Sequence, residues 1–370
     1  MAQDRFRLAP NKEDLGELID AQINASGPIT LAEYMALCLS HPTLGYYRRS
    51  NPIGRQGDFI TAPEVSQMFG EMIGAFVAAG WTSLGEPERF DLVELGPGRG
   101  TLLKDVLRAA AGPKGLIEAM RLVLVESSPV LTEVQRRALA PVEPLWCEGV
   151  ENINPDGPPL IVIANEFFDA LPIRQFQKEA DGWHERLVSI GEGTRGFILS
   201  GGVLPRRTVP ERVRSAAPGS IWEMGEDAEA AMVTLAARIA KRGGAALIID
   251  YGYEQSQAGD SFQAVAAHRR ADPFAAPGEA DLTAHVNFEA LADVARLAGA
   301  VPRKLMTQAQ FLAAMGIVPR AKVLSKGNPE EAEMVKADLK RLTAADQMGT
   351  LFKVLCITAK DFAPYPFVEK

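Results

Sequence analysis

Apolar residues recur at two different spacings along this chain. Leu15, Leu18, Ile19 and Ile23 fall three and four apart, which predicts an amphipathic helix over residues 13–25. A second helix is expected over 30–40, opened by Thr30 with Glu33 three residues on, the pattern of a capping box. Further along, the apolar runs are short and nearly continuous. "DLVEL" (91–95), "RLVLVES" (121–127), "PLIVIAN" (159–165) and "GGAALIIDYG" (243–252) read as buried strands. Helical patterns separate them, at Thr101–Ala110, at "VLTEVQRRAL" with Pro129 near its first turn, and at about Ala228–Ala240. Short apolar strands alternating with helices predict a parallel sheet covered on both faces. A helix over 288–298, a strand and helix in "KLMTQAQFLAAMG", and a long last strand in "LFKVLCITA" complete the pattern.

Three segments depart from this alternation. "IRQFQKEADGWHERLVSI" (173–190) predicts a hairpin turning at Asp181-Gly182, and "RGFILSGG" adds a strand, so residues 170–225 read as an insertion. "SHPTLGYYRRSNPIGRQGDFITAPEVSQMFG" (40–70) is expected to be an ordered loop leading into a helix over about Val65–Ala79. A long irregular run of this kind inside a compact protein usually serves function. "AGDSFQAVAAHRRADPFAAPGEADLTAHVNF" (258–288) is a second polar region, expected to approach the site. The chain divides into an N-terminal helical extension and lid loop (1–85), the first half of an α/β core (86–170), a β-rich insertion (171–227) and the second half of the core (228–370).

Composition narrows the function. The 370 residues carry 39 Lys and Arg against 47 Asp and Glu, a formal net charge of -8 that argues against a general nucleic-acid coat. Basic patches at Arg269 and Arg270 and at Arg206, Arg207, Arg212 and Arg214 read either as partner surfaces or as solvated faces. Cys38, Cys147 and Cys356 have no paired spacing, and His41, His268 and His285 have no metal-ligand spacing, so no metal is expected. The start lacks an apolar signal core and no run of eighteen apolar residues occurs, so a cytoplasmic protein without a spanning helix is the expectation.

The chemistry centres on "DLVELGPGRGTLL". Glycines at 96, 98 and 100 after a strand clear side chains from a turn beneath a ligand. A dinucleotide fingerprint would be spaced G-x-G-x-x-G. Glu94, two residues before Gly96, would repel a pyrophosphate docked at a helix N-terminus. It suits a cationic ligand instead, and S-adenosylmethionine carries an ammonium, a sulfonium and no phosphate. Backbone capping and pairing with Arg99 are the alternatives for Glu94. Glu126, ending the next strand, is placed to accept hydrogen bonds from both ribose hydroxyls, which fits dinucleotide and adenosyl ligands alike.

Several stretches together carry a resemblance. "VELGPGRGTL" with "VLVESSP" resembles the seven-stranded, class I (Rossmann-like) S-adenosylmethionine-dependent methyltransferases. With "LAEYMALCLSHPTLGYY", "GDFITAPEVSQMFGE", "NEFFDALP", "IIDYGY" and "DPFAAPGEADLTAHVNF", the chain resembles the MidA-like family over about residues 14–359. The mitochondrial members of that family are complex I assembly factors. The resemblance implies a protein-arginine methyltransferase that modifies a core subunit of respiratory complex I, in the mitochondrial matrix in eukaryotic members. This chain shows no Arg- and Ser-rich presequence, which reads as a bacterial or processed form.

By that resemblance Glu94, Gly96, Pro97, Gly98 and Gly100 form the first cofactor motif, Glu126 with Ser127 the ribose end, and Asn165 with Glu166 the edge beside methyl transfer. Ser66 and Gln67, with Asp58 and Thr61, are expected in a cofactor lid. A guanidinium is planar and nearly always protonated, so it needs carboxylates to orient it. Glu166 is the first candidate and Asp169 the second, with Asn165 beside them; Glu223 or Asp58 are further carboxylates that folding is expected to test. Asp169 reads equally as a helix cap. N-E-F-F at 165–168 departs from the N-P-P-Y of base-modifying enzymes, which disfavours nucleic acid. An RNA or small-molecule methyltransferase, a cofactor-binding assembly protein without catalysis, and a dehydrogenase are the competing readings. Self-association into a homodimer stays open.

Overall fold

A computed structural model describes residues 14–48, 61–266, 268–326 and 329–368. Its centre is a twisted sheet whose strands form where the sequence is continuously apolar: β1 (Phe90–Leu95), β2 (Met120–Val125), β3 (Leu145–Cys147), β4 (Leu160–Asn165), β5 (Gly244–Tyr253), β6 (Val301–Pro302) and β7 (Phe352–Thr358). Their spatial order is 3-2-1-4-5-7-6, with two short additions, Val286–Asn287 beside β5 and Met306–Thr307 beside β7. β1 lies parallel to β2 and β4, and β5 parallel to β4, while β7 runs antiparallel to β5. The chain reverses its direction of winding between β1 and β4, so their carboxyl ends open a crevice.

Side chains alternate across this sheet. Leu92 of β1 joins one core with Phe69, Phe76, Leu102 and Phe352, whereas Val93 and Leu95 join the other with Leu235, Ile239 and Leu355. The first face is covered by α3 (Gln67–Ser83) and α4 (Thr101–Ala110), the second by α6 (Glu226–Arg242) and the Phe288–Leu297 helix. α5 (Pro129–Leu139) follows β2 with Pro129 in its first turn and Ser128 as its cap. At the amino end of the sheet Asp91 accepts bidentate bonds from Arg121 and a further bond from the buried Arg242.

The N-terminal helices α1 (Leu15–Ser26) and α2 (Leu31–Ser40) form as the periodicity predicts, and the Thr30–Glu33 capping box is present. They pack on the insertion. Leu15, Ile19, Tyr34 and Leu39 share a core with Ile173, Val188 and Leu282, and Ile29–Thr30 pairs antiparallel with Leu187–Val188. The predicted hairpin is Arg174–Lys178 paired with Trp183–Gly191, followed by the long strand Thr194–Val203 and closed on its other side by Ile221–Met224. Phe176, Trp183 and Trp222 give it a separate small core.

Sequence and structure differ at several boundaries. The helix expected over 65–79 begins at Gln67 and runs to Ser83, because Ser66 is extended (φ -158°) and separates it from a single turn at Ala62–Val65. Short strand β3, the helices Ile317–Leu324 and Pro329–Thr343, and the small sheet of Gln263–Ala266, Arg269–Ala271 and Asp281–Thr283 were not legible as elements. No described helix is long and apolar enough to cross a membrane.

Candidate active site

The glycine turn begins as β1 ends. Gly96, Gly98 and Gly100 all have positive φ (59°, 53° and 79°), a region that costs other residues dearly. Gly96 donates its N–H to the Val125 carbonyl, binding the turn to β2. A Cβ on Gly96 would stand 3.0 Å from the Phe167 ring, so the glycine keeps the crevice floor open. Gly100 caps α4.

Two adjoining cavities share Gly96, Gly98 and Glu166. The larger, about 530 Å³, lies within the range of small-molecule sites. Its walls include Glu126 and Ser127 from the end of β2, Gly149 and Val150 after β3, Phe167 after β4, and Asp227 and Ala231 from α6; Tyr47 closes it from the N-terminal extension. The smaller, about 60 Å³, lies against Glu94, Pro97, Asn165 and, from the segment preceding α3, Thr61 and Glu64.

Each acid at this crevice has a distinct environment. Glu94 is 3% exposed and its Oε2 meets no hydrogen-bond donor among the described residues; burial lifts its pKa to about 8. Such a group calls for a cationic partner, because an uncompensated buried carboxylate is costly. Glu126 accepts from Ser128 N–H (2.7 Å) and from Gln135 Nε2 (3.0 Å). Burial raises its pKa, against the pull of those donors and the Arg48 charge. Gln135 also donates to the Gly98 carbonyl and accepts from Trp146 Nε1. It therefore ties the glycine turn to Glu126.

Glu166 joins the two cavities. It takes a left-handed backbone (φ 51°), and its Oε1 accepts from Ala62 N–H (3.1 Å) and Asn165 Nδ2 (3.2 Å). Burial and the nearby Asp169 lift its pKa to about 7. Asn165 keeps its own Oδ1 buried, with no donor among the described residues.

The other proposed carboxylates fall elsewhere. Asp169 lines neither cavity. Its Oδ2 accepts the Tyr251 hydroxyl at 2.5 Å, its Oδ1 is buried with no hydrogen-bond donor among the described residues, and burial pushes its pKa to about 6. It stands behind Glu166 and acts on it by charge. Glu223 lies outside the crevice, contrary to the expectation for it: its carboxylate is enclosed by Gln175, Ser261 and the Phe262 N–H, so it fastens the insertion to the 258–288 region. Ser66 uses its hydroxyl on Met68 N–H as the cap of α3, and neither it nor Gln67 lines the cavities. Asp58 lies outside the described residues. The 258–288 region reaches the site at second hand, through the Tyr47 hydroxyl on Asp281 and Ala284 N–H on the Asp169 carbonyl.

Gln135, Tyr47, Glu64 and the pair Asp250–Tyr251 received no role from the sequence, although Tyr47, Glu64, Asp250 and Tyr251 lie within the stretches that carry the family resemblance. Asp250 carried a further signal, a carboxylate inside an otherwise apolar strand.

The fold that builds this crevice occurs in a solved structure. A homologue from Burkholderia thailandensis, crystallised with S-adenosyl-homocysteine bound, superposes with a TM-score of 0.81 at 30% identity over 93% of this chain and 91% of that one. Residues 72–306 match the family model described as "Putative S-adenosyl-L-methionine-dependent methyltransferase". This chain belongs to that methyltransferase family. Among its curated relatives are "Protein arginine methyltransferase NDUFAF7 homolog, mitochondrial" of Drosophila melanogaster, 35% identical over 96% of this chain and 88% of that protein. The Xenopus tropicalis "Protein arginine methyltransferase NDUFAF7, mitochondrial" is 37% identical over 91% and 84%. The human protein of the same name is 35% identical over 91% and 81%.

The methyltransferase uses S-adenosylmethionine, and its residues fit that cofactor. Glu94, a buried acceptor with an unmatched oxygen among the described residues, would hold the ammonium, the glycine turn would leave room for the chain of the amino acid, and Glu126, which lines the larger cavity, would hold the ribose.

Proposed function

We propose that this methyltransferase modifies an arginine guanidinium of a protein, and that its acceptor is a core subunit of respiratory complex I met during assembly. The relatives' names supply the arginine, and the family resemblance supplies the complex. Glu166 is the observation that carries the reading. It stands where the two cavities meet, with Asp169 and Asp250 behind it and no lysine or arginine bonded to its carboxylate among the described residues. A guanidinium supplies the positive charge and planar donors that such a place lacks.

Bound S-adenosylmethionine supplies a methyl carbon activated by its sulfonium. The protein's part is alignment and proton management. Glu94 and Glu126 hold the two ends of the cofactor. Glu166 accepts from the guanidinium and orients one nitrogen toward the shared wall of the cavities. Its pKa of about 7 lies near neutral pH, which suits a group that takes the proton the nitrogen releases as the methyl arrives. Asp169 keeps the surroundings of Glu166 negative. Asn165 fixes its carboxylate. Tyr47 and Phe167 wall the crevice against water.

The substrate side is proposed to be the insertion (171–227) together with the N-terminal extension, which share one core. The reaction is placed in the mitochondrial matrix in a eukaryote and in the cytoplasm in a bacterium. The test is methyl transfer from labelled cofactor into complex I assembly intermediates from a strain lacking this protein. Methylated arginine after hydrolysis supports the reading; label in RNA, in a small molecule or on another residue type sinks it.

A further inference from the structure

Glu166 occupies a backbone region that glycine tolerates and a glutamate resists. Something must hold it there. Glu166 N–H donates to the Ile249 carbonyl (2.9 Å), which fixes only one side of the turn. The next residue of β5, Asp250, fixes the other. It is fully buried; its Oδ2 accepts from the N–H groups of both Phe168 (3.0 Å) and Asp169 (3.2 Å), and its Oδ1 accepts from its neighbour Tyr251 N–H (3.0 Å). Two successive amides are thus gathered onto one oxygen two and three residues after the strained position. β4 and β5 pair in parallel with Asn165 opposite Ile249, so this acid follows directly from the register of the two strands.

We propose that Asp250 is a positioning residue for methyl transfer: its carboxylate clamps the turn after β4 and so holds Glu166 in the left-handed conformation that aims it at the junction of the two cavities. The inference rests on the reading of Glu166 given above. Asp250 lines neither cavity; it acts through the 166–169 backbone. A carboxyl group is needed because both of its oxygens accept: Oδ2 from the Phe168 and Asp169 amides and Oδ1 from the Tyr251 amide. An asparagine of the same shape would turn its NH2 donors toward the Phe168 and Asp169 amides in one orientation and toward the Tyr251 amide in the other.

The experiment compares Asp250→Asn with the wild type by three measurements. These are S-adenosyl-homocysteine affinity by calorimetry, thermal unfolding, and single-turnover transfer of tritiated methyl into the protein fraction of an extract lacking this enzyme. The expected result is affinity within about twofold of wild type and transfer slowed about a hundredfold, the scale set by a misplacement of roughly 1 Å. A folded Asp250→Asn protein that transfers at the wild-type rate overturns the proposal, as does loss of transfer that only tracks loss of cofactor affinity. The background Glu166→Gly supplies an activity-independent readout, because glycine needs no clamp at positive φ. Asp250→Asn should lower the melting temperature less in that background; an equal drop in both overturns the proposal, and this comparison decides if Asp250→Asn proves too unstable to assay. Label found on a residue other than arginine would refute the acceptor assignment and leave the clamp standing.

Discussion

Gln135 and Gly98 are joined by a hydrogen bond of 2.8 Å from the buried Nε2 amide to the glycine carbonyl, and the same nitrogen reaches Glu126 Oε2 at 3.0 Å. One side chain on α5 thereby sets the spacing between the turn and the acid that flank the larger cavity. Replacing Gln135 by Leu leaves the Trp146 N–H and the Gly98 carbonyl without partners. Unmade buried bonds of this kind cost about 1–3 kcal/mol each. The expected outcome is S-adenosyl-homocysteine affinity lowered roughly tenfold to a hundredfold by calorimetry, with little change in the rate at saturating cofactor.

Glu94 links cofactor binding to pH. Its carboxyl, lifted to about 8 by burial, is largely protonated at pH 6 in the free protein, and only the ionised form pairs with an ammonium. Affinity for S-adenosyl-homocysteine should therefore rise from pH 6 to pH 8. Stability of the free protein should move the other way. A carboxyl whose folded pKa is raised contributes stability below its unfolded pKa and loses it as pH climbs through about 8. Glu94→Gln is expected to flatten both trends, measured by calorimetry and by melting across that range. Unchanged slopes in the variant would remove Glu94 from the cofactor site.

Glu166→Gln keeps the shape of the side chain and removes its charge. Cofactor affinity should hold within a few-fold while methyl transfer falls about 10²- to 10⁴-fold, the range of a lost acid–base group. In the wild type, turnover should rise with pH through about 7, where Glu166 ionises. That limb should vanish from the residual activity of the variant. A variant that transfers methyl normally would leave Glu166 a structural role only.

At the opposite end of the sheet, Asp91→Ala tests stability without touching the crevice. Arg242 is buried and loses its carboxylate, keeping only the carbonyls of Asn154 and Pro158. An orphaned buried charge costs about 3–5 kcal/mol, so the denaturation midpoint should drop clearly. The folded fraction at low temperature should still bind S-adenosyl-homocysteine.

What the sequence disclosed and what it concealed have a physical division. β1, the glycine turn and β2 were legible because each is specified within a few residues, by apolar continuity, by glycine spacing and by an acid at a strand end. Glu94, Glu126 and Glu166 follow from that local grammar and meet at one crevice. The roles of Gln135, Asp250 and Glu223 depend on partners far along the chain: Gln135 reaches back to Gly98, Asp250 to Phe168, and Glu223 forward to Ser261. Nothing in the neighbourhood of "IWEMGE" distinguishes a free carboxylate from one enclosed by donors, which is why Glu223 was expected where the fold does not put it. Ser66 misled for a related reason. A helix cap and a ligand-binding hydroxyl look alike until the helix start is known.

The shared core of α1, α2 and the insertion has a consequence for how this chain is made. Leu15, Ile19 and Tyr34 emerge from the ribosome well before Ile173 and Val188 exist to cover them. At about 5–20 residues per second, their apolar faces wait several seconds or more for the strands they need. Newborn chains therefore offer chaperones a sticky amphipathic pair, and the wall of the crevice carried by Tyr47 is fixed only after its partner Asp281 has arrived.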